Sequence, residues 1–127
     1  MKDALSLFEK GRYRGAMYMA GYSVECRIKV KLMNCFRVLT LDGLQSKLQR
    51  RLPDPELKLR IHDLNQLGML LPRWELVCQD RHFRRSWSDV GLWSVAWRYE
   101  QEVLDKSVAE KFLGSVQEVL KCIENRF

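Results

Sequence analysis

Between Val24 and Leu32 the chain alternates apolar and charged residues without exception: Val24, Glu25, Cys26, Arg27, Ile28, Lys29, Val30, Lys31, Leu32. A period of two is the signature of a half-buried strand. Wound at 3.6 residues per turn, the same letters sort differently. Met17, Val24, Ile28, Leu32 and Cys35 form one stripe, and Met19, Cys26, Val30 and Met33 form another on roughly the opposite side. Length decides between the two. A strand typically runs about 5–6 residues, whereas no proline or turn signal interrupts the segment once Gly21 is passed. The pattern therefore predicts a helix from Tyr13 to Arg37, about 35 Å long at about 1.5 Å per residue. Apolar on two opposing sides, it is expected to form the middle layer of a helical domain, with neighbours on each flank. Gly15, Ala16, Ala20, Gly21 and Ser23 would let one of them approach closely.

The other elements follow from the same patterning. Lys2 to Lys10 reads as a short amphipathic helix with Ala4, Leu5 and Phe8 on one face and Gly11 placed to end it, giving an antiparallel hairpin with the long helix. Asp42-Gly43 and Pro53-Asp54-Pro55 mark turns, and the stretch from Leu39 to Pro55 is the expected mobile loop, with Leu44 and Leu48 allowing a helical turn or two. From Glu56, the positions Leu57, Ile61, Leu64, Leu67 and Leu71 recur at helical spacing, with Asp63 as a cap for a fresh start. Pro72 opens a further helix that carries Trp74, Val77 and Cys78 inward and ends in Arg81, His82, Arg84 and Arg85. Ser86 to Asp105 is ambiguous. The last helix is the clearest: Ser107-x-x-Glu110 has the form of a capping box, and Ala109, Phe112, Leu113, Val116, Leu120, Ile123 and Phe127 form one face. The expected fold is all-α, an up-and-down antiparallel bundle of four to five helices around a long central one, in a single domain spanning residues 1–127.

Composition narrows this only a little. With 46% apolar and 30% charged residues the chain is ordinary for a globular domain. A net charge of +6 permits an anionic partner without demanding one. Cys26, Cys35, Cys78 and Cys122 are irregularly spaced, with no C-x-x-C and no His pair at ligand spacing, so no metal or other cofactor is expected. Cys26 and Cys35 fall on apolar stripes, as buried free thiols would. The N-terminus lacks an apolar signal core and no run approaches a membrane span, so the expected location is the cytoplasm.

Three pieces of the chain resemble the HEPN domain family. They are G-R-Y-x-G-A-x-Y-x-A-G-Y-x-V-E-C-x-x-K (Gly11 to Lys29), H-D-L-x-x-L (His62 to Leu67), and a tryptophan-rich stretch ending R-Y-E (Arg98 to Glu100) before a final helix. The first is fairly specific. The resemblance implies a small helical bundle that forms a homodimer. It also implies the company of a minimal nucleotidyltransferase, or of partners in a toxin–antitoxin or phage-defence complex. The family's active branch cleaves RNA without metal, using an Arg, four to six intervening residues, then a His. Here those positions are Pro55, Glu56 and Leu57 before His62, and Glu75, Leu76 and Val77 before His82. None is Arg. The chemistry needs an imidazole for proton transfer and a guanidinium for charge developing on phosphate, so catalysis is disfavoured. His62 and His82 stay as weak candidates for a rearranged site.

Each remaining candidate carries two readings. Arg81, His82, Arg84 and Arg85 can hold phosphates of a nucleotide or RNA, or merely complement the dipole of the helix they end. Trp93, Trp97 and Tyr99 around Arg98 can stack bases, or close the core or a dimer seam. His62-Asp63 can be a polar site, or a cap beside a packed ring. Glu25 is most simply the i,i+4 partner of Lys29, with a place in an interface network as the alternative. The sequence thus points to an association module without catalysis, whose anion contacts run through Arg81, Arg84, Arg85 and Arg98. An endoribonuclease toxin with a rearranged Arg/His site is the runner-up.

Overall fold

Gly11 turns the first corner. The helix Lys2–Glu9 (α1) ends with Gly11 in the left-handed region, at φ 76°. There the amides of Gly11 and Arg12 donate back to the carbonyls of Phe8 and Leu7, at 3.0 and 2.9 Å. The long helix Tyr13–Phe36 (α2) starts at once, so α1 folds back along it and sets the N-terminal ammonium 3.4 Å from Ser23 Oγ.

The computed structural model describes residues 1–51, 62–98 and 105–127, apart from the side chains of residues 51, 95 and 98. The loop around Pro53, Asp54 and Pro55, the helix start at Glu56 with Leu57 and Ile61, Arg60 and Tyr99 lie outside the described residues. The remaining elements are Leu41–Arg51 (α3), Leu64–Met69 (α4), Trp74–Val77 (α5), Arg81–Val90 (α6), a 3-10 turn over Val95–Arg98, and Lys106–Arg126 (α7). The fold is an all-α bundle, and no strand occurs among the described residues. Five helices have eight residues or more (α1, α2, α3, α6 and α7), and α4 and α5 are short links between them.

The alternation from Val24 to Leu32 is helical, as the length of the segment predicts. Ala16, Met17, Ala20, Gly21, Val24, Ile28 and Leu32 line its buried side. Against them packs the inner face of α7, formed by Ala109, Phe112, Leu113, Val116, Val119 and Ile123. Arg27 pairs with Glu124, and Trp97 links Arg14 to Phe112, so α2 and α7 run in the same direction. α6 is antiparallel to α7: Arg126 reaches Asp80 at one end and Ser115 reaches Asp89 at the other.

Four expectations are corrected. The second stripe of α2 is enclosed only in part: Met19 and Met33 are partly buried against the core, whereas Cys26 is exposed, Val30 is 42% exposed, and neighbouring Tyr22 is 41% exposed. α1 lies along the N-terminal half of α2, with Leu7 beside Gly15 and the N-terminus beside Ser23, so the open part of this side is the strip around Tyr22, Cys26 and Val30. Cys26 and Cys35 are accordingly exposed thiols. The helix expected from Pro72 to Arg85 breaks at Asp80, whose carboxylate caps a new helix through the amides of His82 and Phe83. α7 is capped by Asp105, which accepts from the Ser107 amide, so Ser107 sits inside the helix instead of capping it.

Candidate functional site

Position 25 of α2 falls at the edge of the buried face, and Glu25 is the buried charged residue of the core, 2% exposed. A carboxylate there must find partners, because desolvation without them is costly. It finds two. Lys29, one turn on, donates its ammonium to Oε1, with its own side chain 13% exposed. His62, just before α4, brings Nδ1 to 2.9 Å from Oε1 and 3.1 Å from Oε2. Donation from Nδ1–H to the carboxylate fixes the tautomer of a neutral ring and leaves Nε2 as the available nitrogen.

His62 is half exposed and lines a cleft of about 330 Å³ with Asp63, Asn65, Gly91, Trp93 and Ser94. Several of these side chains are held from behind. Asp63 caps α4 through the amides of Asn65 and Gln66. The Asn65 carbonyl oxygen accepts from the Trp87 indole at 2.7 Å. Trp93 donates to the Tyr18 carbonyl at 3.1 Å and lies across Gly21, where a methyl group would fall 2.1 Å from its Cδ1. The site is preorganised, and an imidazole braced by a buried carboxylate can accept or pass a proton. Among the described lining residues no Arg or Lys faces it. Arg81, Arg84 and Arg85 lie toward the other end of α6 from Gly91, about 9–15 Å away along the axis at about 1.5 Å per residue.

The basic cluster has a geometry of its own. Arg81, His82, Arg84 and Arg85 are all exposed, while Phe83, Trp87 and Val90 point into the core. They occupy the first turns of α6, not the last turn of a preceding helix. Complementing a C-terminal dipole is therefore not their role. Cations at a helix N-terminus oppose its dipole, and Arg81 and Arg85 form a like-charge i,i+4 pair. Asp80 offsets part of this. Its carboxyl is held below the usual carboxylate range, chiefly by the Phe83 amide and then by Arg126. Burial pushes the Cys78 thiol up, and the charge of Arg84 pulls part of that back.

The structure thus brings Glu25, Lys29, His62 and Asp63 to one end of α6 and puts Arg81, His82, Arg84 and Arg85 at the other. His82 takes no part in the cleft, so it contributes nothing to a rearranged site there. Arg98 ends the 3-10 turn, with its side chain outside the described residues. Trp93 is buried and Trp97 packs on Phe112, with ring centroids 5.3 Å apart, so these two close the core and do not form a stacking platform. Asn65, Gly91 and Ser94 carried no signal in the hydrophobic pattern. Glu25 did: a lone carboxylate on the buried edge of a helix asks for a partner beyond Lys29. No group of three or more potential metal-ligating side chains occurs among the described residues, and none of their helices is long and apolar enough to cross a membrane.

The class these features define is a small all-α bundle with a carboxylate-braced histidine at a cleft. Comparison with protein-family models, curated proteins and solved structures gives no match to the chain.

Proposed function

We propose that the chain is a HEPN-like association module of the cytoplasm, acting without catalysis. It pairs with itself and with a minimal nucleotidyltransferase or another component of a toxin–antitoxin or defence complex. The observation that carries this reading is the open face of α2, where Tyr22, Cys26 and Val30 expose an apolar strip on the domain's longest helix. A contiguous uncovered strip of this kind along one helix favours a protein partner. Nucleotide or RNA contact runs through Arg81, Arg84 and Arg85, with Arg98 as a further candidate, because this cluster gains from an anion what it loses to the helix dipole.

Sedimentation equilibrium of the purified chain, alone and mixed with the products of adjacent genes, tests the reading. A dimer or a stoichiometric hetero-complex without RNA cleavage is expected. A chain that stays monomeric, binds none of these products and cleaves RNA sinks it.

One observation favours the runner-up, an endoribonuclease with a rearranged site: the Glu25 carboxylate holds His62 at the mouth of a cleft. Against it stands the distance from His62 to the α6 arginines. Loss of RNA cleavage in His62→Ala, with retained fold, would favour the enzyme.

A further inference from the structure

We propose that the cleft at His62 reads a nucleobase, one that carries an exocyclic amino group beside a ring nitrogen, as adenine and cytosine do. The inference rests on the nucleotide or RNA contact proposed above and names what is recognised away from the phosphates.

Each polar side chain of the cleft is held at one atom and left open at another. An indole N–H only donates, so the atom that Trp87 meets at 2.7 Å is the Asn65 oxygen, and the Asn65 amino group stays free to donate. Asp63 Oδ1 accepts both amides of its cap, at 2.9 and 3.2 Å, and Oδ2 has no partner among the described residues. The Glu25 carboxylate takes the Nδ1 proton of His62, which leaves Nε2 as a second acceptor. Ser94 Oγ accepts from the Ala96 amide at 3.2 Å and keeps its own proton to donate. A methyl group at Gly91 would press on the Asn65 amide, 3.3 Å from its oxygen and 3.4 Å from its nitrogen, so the bare backbone keeps that group in place.

The open atoms are thus donors on Asn65 and Ser94 and acceptors on Asp63 and His62, all lining one cleft of about 330 Å³. A phosphate is a poor occupant. No Arg or Lys is among the described lining residues, and the Asp63 carboxylate repels an anion. The cleft suits a neutral group that carries an N–H and an acceptor side by side. An amino base does so: its amine donates to Asp63 or His62, and its ring nitrogen accepts from Asn65. Asparagine against adenine and an acidic side chain against the cytosine amine are the pairings by which proteins read base edges. Uracil has a carbonyl where these bases have the amine, and would set one acceptor against another.

A sugar or a simple amide also mixes donors with acceptors, and α6 separates them from a base. Arg84 stands seven residues before Gly91, two turns away on the same face of the helix. The separation is about 10 Å at about 1.5 Å per residue, or about three stacked nucleotides at about 3.4 Å each. A strand with one base in the cleft therefore carries a phosphate to Arg84. One helix joins base reading at one end to backbone contact at the other.

Adenosine, cytidine and uridine carry no phosphate and so test the cleft apart from the arginines. Each is titrated into isotope-labelled protein and followed by NMR, with Asp63→Asn alongside and single-stranded RNA binding measured on the same samples. Asparagine keeps the capping oxygen and turns the open acceptor into a donor. Adenosine and cytidine are expected to shift the Asn65 side-chain and Gly91 amide resonances with at least tenfold higher affinity than uridine. Asp63→Asn is expected to lower that affinity at least tenfold with an unchanged circular dichroism spectrum. No shift from any nucleoside at millimolar concentration, or equal affinity for all three, overturns the inference, and RNA binding that persists in that case leaves the arginine contact standing. Nucleosides that bind the cleft of a chain with no affinity for RNA uphold the inference and overturn the arginine contact instead.

Discussion

The carboxylate of Glu25 and the imidazole of His62 are joined across 37 residues of chain, with Nδ1 within 2.9 Å of Oε1 and 3.1 Å of Oε2. This contact ties the middle of α2 to the entry of α4, the one carboxylate serving both Lys29 and His62. The two ends of the pair are unequal. Glu25 is buried, so its removal strands Lys29, whose side chain is also largely buried. Glu25→Ala is expected to destabilise the fold by about 3 kcal/mol, softened where Lys29 can reach water. His62 is half exposed and its loss leaves Glu25 paired to Lys29, so His62→Ala is expected to cost about 1–2 kcal/mol. Urea denaturation of both variants checks the ordering. Equal costs would mean that His62, not Lys29, is the main partner of the carboxylate.

Gly21 lets α2 and the segment after α6 approach closely, at Trp93. The indole lies against the bare backbone of Gly21 and donates to the carbonyl of Tyr18, three residues earlier. A methyl group at position 21 would overlap the ring, so Trp93 must move and its hydrogen bond must stretch or break. Gly21→Ala would stabilise an ordinary helix interior by about 1 kcal/mol through propensity. Here overpacking reverses the sign, and a net cost of about 1–3 kcal/mol is expected. The cleft should suffer with it, since Trp93 forms one wall. A raised melting temperature for Gly21→Ala would show that the ring has room to retreat.

The sequence carries some of this plainly and some of it not at all. The helical state of α2 was legible despite its alternating letters, because nothing in the segment stops a helix. The inner face of α7 was legible from its helical spacing, which names five of its six buried positions; Val119 was not among them, and Leu120 and Phe127 are only partly buried. The open side of α2 was not, because apolar spacing shows which residues can be buried but not how many neighbours arrive to bury them. The break at Asp80 was missed although its chemistry is that of Asp63: each carboxylate caps a helix through the amides two and three residues on. Asp80 was hidden because the apolar spacing of Trp74, Val77, Cys78 and Phe83 continues across the break. The link from Glu25 to His62 joins distant segments, which no local period encodes.

Asp80 gives a pH dependence with a definite sign. Its carboxyl titrates below the usual range, owing first to the Phe83 amide and then to Arg126, with desolvation opposing. A depressed folded-state value means that the charged form is favoured by folding. The contribution is therefore fully present above the unfolded value of about 3.9 and is lost as pH falls through the lower folded value. Asp80→Asn keeps a capping oxygen but removes the charge facing Arg126. The variant is expected to melt below the wild type at neutral pH, with the gap closing as the pH drops below about 4. Melting curves from pH 7 to pH 2.5 measure it. A gap that stays constant with pH would assign the whole effect to the cap.

The arginines of α6 present a case in which stability and binding pull apart. Arg81 and Arg84 stand in the first turn of a helix whose N-terminus repels cations, and Arg81 sits one turn from Arg85. Among the described residues none of the three is paired with an acid. Neutralising Arg81 and Arg84 together as glutamines should relieve the dipole and the like-charge contacts and stabilise the free protein by about 0.5–1.5 kcal/mol at low salt. The same change should weaken binding to a nucleic-acid backbone and flatten the dependence of log K on log salt by about two. Thermal melts at low and high salt, paired with a salt titration of binding to single-stranded RNA, separate the outcomes. A variant that is more stable and binds less steeply marks the cluster as a phosphate-contacting surface held at some cost to the fold. A variant that is more stable with an unaltered salt slope leaves these arginines as solvated surface, and the anion contact passes to another part of the chain.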